Sequence, residues 1–140
     1  MLFLSISFYV NAQKNYFVKE VISSSTNGII INLTINCTNK KAVKQEACIA
    51  ALKAILFDGI SNTIFNKPLL PDGELTSYQQ NQSYFDNLYN YRYSDFINSC
   101  IMLSKFKKAE NKSTLFQIDV KVLTLRKDLE RNNIKRKIGF

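Results

Sequence analysis

The chain has 140 residues, 46% of them hydrophobic and 21% charged, with a formal net charge of +8. That length fits one domain able to bury roughly two thirds of its unfolded surface, and the apolar content excludes a disordered chain. The sequence holds no histidine, which excludes Ser-His-Asp and Cys-His nucleophiles and any histidine-based metal site.

The positive charge is unevenly spread. Residues 1–103 carry eight Lys or Arg against seven Asp or Glu, whereas residues 104–140 carry eleven against four. Basicity is therefore a property of the C-terminal quarter. It comes from fifteen lysines and only four arginines. Because Arg is the better reader of phosphates and base edges, nucleic acid is not an expected partner.

Leu2–Val10 is an apolar run of nine residues, far short of the roughly twenty that span a bilayer. Val10, Asn11 and Ala12 supply small residues of the kind that precede a signal-peptidase cut. The expectation is a signal peptide over 1–12, a mature single α+β domain over 13–140, and an exported, periplasmic or envelope-associated protein with no transmembrane segment. No Lys or Arg precedes the run, so the start of this signal is read as truncated. A buried strand of the mature fold is the alternative reading. No cysteine follows at lipoprotein distance.

"YFVKEVI", Tyr16–Ile22, reads as a first strand, and the polar turn Ser23–Gly28 ends in Asn-Gly, a strong hairpin signal. In "IIINLTINC" the residues Ile29, Ile31, Leu33, Ile35 and Cys37 alternate with Ile30, Asn32, Thr34 and Asn36, predicting a strand with one face on a core. Thr38 or Asn39 is placed to cap a helix through "KKAVKQEACIAALKAILF". Its small residues Ala47, Ala50, Ala51 and Ala54 let it lie close on a sheet, and Gly59 stands where a helix commonly ends in a left-handed residue.

Residues Ile60–Gln80 show no period and read as a long loop. A second helix is expected over Ser83–Asn98, with Phe85, Leu88, Tyr89 and Phe96 on its buried side. At helical spacing such aromatics are more often core than a stacking platform for sugars or bases. Two further strands, "CIMLSKFKK" and "LFQIDVKVL", are joined by the polar turn Ala109–Thr114. Thr124 is placed to cap a terminal helix, "LRKDLERNN", before the tail "IKRKIGF". The expected fold is α+β, an antiparallel sheet of about four strands with helices on one face in the order ββααββα.

These features together carry a resemblance. A β-hairpin leads to an Ala-rich helix containing Glu46, then to "LFDGI" and "NKPLLP". An aromatic helix and a strand pair follow, running into "LRKDLE" and "IKRKIGF". Over nearly all of the mature chain this resembles a group of small, uncharacterised exported proteins of Bacteroidota. The first half is more distantly similar to the N-terminal domain of the flagellar T-ring protein and related envelope lipoproteins, from which the missing lipobox departs. The resemblance implies an α+β fold and an envelope location, and it brings no catalytic residue.

The chemistry left to the chain is narrow. Four isolated glycines, at 28, 59, 73 and 139, form no phosphate loop. Cys37, Cys48 and Cys100 match no zinc spacing and sit in apolar runs, where they read as small buried residues; an exported protein could also pair two of them. No cofactor or metal is expected. Paired carboxylates remain the one route to acid/base catalysis, with Asp58, Asp72, Glu74, Asp86 and Asp95 near the irregular middle. Asp58 and Asp72 precede glycines and read more simply as turn residues.

The long loop "SNTIFNKPLLPDGE" is the best candidate for a specific contact, because loops near twenty residues are uncommon in compact domains. Leu69 and Leu70 are expected to pack down, while Phe65, Asn66, Lys67 and Pro68 form a binding edge for an envelope protein partner. The leading function is a non-enzymatic envelope protein working by protein–protein contact. The alternative is a binding module for anionic polymers or lipid head groups, using the Lys-rich C-terminal segment.

Overall fold

A computed structural model describes residues 14–106 and 113–135. The signal-peptide expectation over 1–12, most of the turn Ala109–Thr114 and the end of the tail lie outside the described residues. The fold is α+β: a four-stranded antiparallel sheet with four helices among the described residues. The strands are β1 (Tyr16–Ser24), β2 (Ile29–Ile35), β3 (Ile97–Met102) and β4 (Thr114–Val120), arranged in space as β1-β2-β4-β3.

The two alternating sequences fill the centre of the sheet. β2 pairs antiparallel with β4 in unbroken register, Ile31 opposite Ile118 and Leu33 opposite Phe116. Period-two alternation turns Ile29, Ile31, Leu33 and Ile35 together with Phe116, Ile118 and Val120 onto one face, where all are buried. β1 and β3 are the edges. Each carries β-bulges, between Val18 and Glu20 and between Val21 and Ser23 in β1, and between Ile97 and Ser99 in β3. Such bulges twist an edge away from regular pairing with other chains.

Helix α1 (Val43–Lys53) covers the buried face of the sheet. Ala47 and Ala51 are wholly buried, so the helix backbone approaches the strands closely. It starts three residues later than the sequence suggests. Asn39 caps a preceding turn, its Oδ1 accepting from the Lys41 N–H at 3.0 Å and its carbonyl from Ala42 at 3.1 Å. The C-terminal end widens into a π-helical turn, Ala54–Asp58, closed by the Gly59 N–H on the Ala54 carbonyl at 2.8 Å.

The middle of the chain departs from expectation. The apparent loop ends early, at helix α2 (Glu74–Gln80). The single aromatic helix expected over Ser83–Asn98 is instead α3 (Gln82–Asn87), a π-helical turn (Leu88–Arg92) and a 3₁₀ turn (Tyr93–Phe96), leading directly into β3 at Ile97. The element order is therefore ββαααββα, not ββααββα. The aromatic positions still drive burial: Phe85, Leu88 and Phe96, spaced as on one helix face, all lie inside although the helical pitch changes between them.

Helix α4 (Val122–Arg131) also begins earlier than expected, because Val122 turns into the core from the helix and does not extend β4. Thr124 is not its cap. The carbonyl of Asn27, in the β1–β2 turn, accepts from the Leu123 N–H at 3.0 Å and satisfies one of the free donors of the first turn. The approach is close: a Cβ on Gly28 would sit 2.3 Å from the Val120 carbonyl oxygen, so only glycine fits there.

Candidate functional site

The long loop is held down by the helix end it follows. In the π-helical turn the carbonyls of Ile55 and Leu56 lack partners within the helix. They accept the Leu69 N–H at 3.2 Å and the Leu70 N–H at 2.8 Å. Leu70 is buried, Leu69 packs partly against the core, and Ile60 is buried beneath the loop. The near end closes on itself through Ile60 N–H to the Phe65 carbonyl at 2.8 Å. The Thr63 hydroxyl donates to the Ile60 carbonyl at 2.8 Å and accepts from the Phe65 N–H at 3.0 Å. A segment without sequence period is thus an ordered flap docked on α1.

That docking raises one wall of a groove of about 620 Å³ against α4. Ile64, Phe65, Lys67, Pro68 and Leu69 form the loop wall; Val122, Leu123 and Arg126 form the helix wall, and Lys135 closes one end. Of the four residues singled out in the sequence, the structure brings Phe65, Lys67 and Pro68 to this groove. Asn66 is exposed and does not line it; its carbonyl packs against Gly59. Ile64, 64% exposed, is a large apolar side chain that also lines the groove.

Three cations, Lys67, Arg126 and Lys135, stand among the apolar side chains that line the groove. Lys67 is exposed and makes no ion pair among the described residues. Arg126 pairs with Glu130 at 3.2 Å, and Lys135 donates to the Leu69 carbonyl at 3.0 Å. Burial, and secondarily the nearby Arg126 charge, pushes the Lys135 ammonium below the usual lysine range. An anionic group in the groove would relieve that repulsion. The contribution of α4 and of Lys135 beyond it could not be found from the loop's own sequence, since Arg126 and Lys135 lie about sixty or more residues away.

Four of the five candidate carboxylates, all but Asp72, have side-chain partners among the described residues. Asp58 pairs with Lys14 and accepts from the Tyr16 hydroxyl at 3.0 Å; Asp86 accepts from the Tyr78 hydroxyl at 2.6 Å. Glu74 pairs with Lys53 at 2.8 Å, and Asp95 with Arg92 at 3.6 Å. Each ties a different pair of elements.

The most organised carboxylate is one that sequence reading passed over. Asp128 of α4 is buried and holds the Arg92 guanidinium through both oxygens, at 2.8 and 3.2 Å, while Tyr84 donates to it at 2.7 Å. Burial opposes its ionisation, but the Arg92 fork and the Tyr84 hydroxyl outweigh that and hold the carboxyl below its ordinary value. The cluster clamps α4 to the π-helical turn after α3. Among the described residues no helix is long and apolar enough to cross a membrane. No protein-family model, curated protein or solved structure matches the chain.

Proposed function

We propose that this protein is a non-enzymatic component of the cell envelope that works by protein–protein contact, gripping a partner segment in the groove between the 60–71 loop and α4. The observation that carries the reading is the groove's composition: apolar side chains including Ile64, Phe65 and Leu123 together with the cations Lys67, Arg126 and Lys135. Such a surface fits an extended segment bearing both apolar and acidic side chains, and apolar contact gives such grips most of their strength. Four of the five candidate carboxylates, all but Asp72, are engaged with partners of their own, which supports the non-enzymatic part. The apolar run Leu2–Val10 and the resemblance to exported envelope proteins support the location.

The three cations favour a second reading, a module for anionic polymers or lipid head groups served by them and the Lys-rich segment beyond. Salt separates the two, because screening removes binding carried by exposed charge and largely spares apolar contact. The test immobilises the full chain and its Phe65→Ala and Lys67→Glu variants, then measures capture of envelope proteins at low and high salt beside thermal unfolding. The expected outcome is salt-resistant capture that Phe65→Ala weakens and an unchanged midpoint for Lys67→Glu. Capture indifferent to both substitutions would sink the groove as the site. Capture of acidic polymer alone, abolished by salt, would give the second reading its place. Intact mass of protein from the native host tests export separately, with a mature chain beginning at Gln13 as the expected result.

A further inference from the structure

Two of the three cysteines, 52 positions apart in sequence, meet in the fold. Cys48 lies on the sheet-facing side of α1 and is buried, at 5% exposure. Cys100 lies on the edge strand β3, opposite Ile118 of β4, with its side chain turned toward α1 and half-buried. Cys100 shares the core-facing side of β3 with buried Ile118, α1 packs on that strand, and the electrostatics of each thiol are dominated by the other. Cys37 stands apart, its thiol directed at the Asn39 carbonyl at 3.4 Å.

We propose that Cys48 and Cys100 are a dithiol–disulfide site, oxidised by exchange with a disulfide-bearing thiol compound or oxidoreductase, so that a covalent bond ties α1 to the edge of the sheet. The placement of the two sulfurs carries this. One is on the helix that covers the sheet and the other on a strand that only one neighbour holds, so the bond secures the strand least supported by ladder hydrogen bonds. It would also close a long chain loop, the geometry in which a cross-link restricts the unfolded chain most.

The exchange balances in two steps. Cys100, the more exposed sulfur, attacks as a thiolate one sulfur of the incoming disulfide; that S–S bond breaks and the first thiolate leaves, taking up the proton Cys100 has lost. Cys48 then attacks the Cys100 sulfur in the mixed disulfide, its proton passing to the second thiolate as it departs. Two cysteine thiols are oxidised, one external disulfide is reduced to two thiols, and nothing else is consumed. In the dithiol the contact favours the thiolate at Cys48 and, together with burial, disfavours it at Cys100, so the first attack is the slow step.

The experiment equilibrates the purified full chain with oxidised or reduced glutathione, quenches in acid, and alkylates in denaturant without reductant before intact-mass and peptide analysis. The expected result is one alkylated cysteine, Cys37, in the oxidised sample and three in the reduced sample, with the missing peptides recovered as a Cys48–Cys100 cross-link. Reduction should lower the unfolding midpoint of the native sequence by about 10 °C and leave that of Cys48→Ala unmoved. Three alkylated cysteines after oxidation, or a cross-link that includes Cys37, would overturn the proposal. Should Cys48→Ala not fold, the cross-link map of the native chain decides alone. Loss or survival of groove binding has no bearing on this outcome, so the two proposals stand or fall separately.

Discussion

Gly59 adopts φ +77° at the end of the π-helical turn, and a Cβ built there would lie 2.3 Å from the Asn66 carbonyl oxygen. Left-handed backbone and a close approach both demand glycine, so Gly59→Ala is expected to cost about 2 kcal/mol or more. Urea titration gives the value, and it should be accompanied by loosening of the 60–71 loop. Asp128 sets a second expectation. Its folded-state pKa is depressed, so the stability it contributes is fully present above the unfolded value of about 3.9 and is lost as pH falls through the lower folded value. Asp128→Asn removes the buried carboxylate that Arg92 grips, leaving only the longer Asp95 pair on a guanidinium that is partly in water, and is expected to destabilise by about 1–3 kcal/mol near neutrality. It should also flatten the acid limb of the stability–pH curve; an unchanged acid limb would show that other carboxylates govern acid unfolding.

At the scale of elements, two contacts organise the molecule: α1 on the sheet and the loop on the end of α1. Ala51 is wholly buried where the helix lies against the strands. Ala51→Leu should therefore destabilise by about 1–3 kcal/mol through overpacking, measurable as a lower denaturant midpoint at constant slope. The loop's hold on the π-helical turn predicts an unusual exchange pattern. The amide protons of Leu69 and Leu70 donate to Ile55 and Leu56 across the fold, so they should resist hydrogen exchange far more than those of exposed neighbours such as Asn66 and Lys67. Fast exchange at both leucines would mean the loop is not docked as described, and the groove wall would go with it.

The whole molecule is closed by its most distant partners. The central strand pair joins residues 29–35 to residues 114–120, and Asp128 reaches back to Arg92 and Tyr84. The two central strands therefore complete their shared buried face only when the two ends of the described chain come together. Unfolding is therefore expected to be a single cooperative transition, coincident by near- and far-ultraviolet circular dichroism. Folding should be slower than that of a helical bundle of the same size, because long loops must close before the β2–β4 pairing forms. The same closure builds the groove, whose walls come from the middle and the end of the chain.

Local pattern determined much of this fold. The alternation in Ile29–Ile35 and Phe116–Val120, the Asn-Gly turn, the alanines of α1 and the stop at Gly59 were all legible, because side-chain period and backbone freedom are properties of neighbouring residues. The end of the long loop was not, since α2 buries only Ser77 and leaves Leu75 exposed, giving its helix no apolar stripe to betray it. Nor was the break-up of the aromatic helix, since Phe85, Leu88 and Phe96 are spaced as on one helix face. Phe65, Lys67 and Pro68 could be singled out from an apolar loop stiffened by prolines, but the opposite wall, Leu123, Arg126 and Lys135, could not. The meeting of Cys48 with Cys100 and of Asp128 with Arg92 was equally hidden. A sequence specifies what each segment prefers over a few residues; which distant side chains then meet is decided only when the sheet closes and packing selects a single arrangement of the whole.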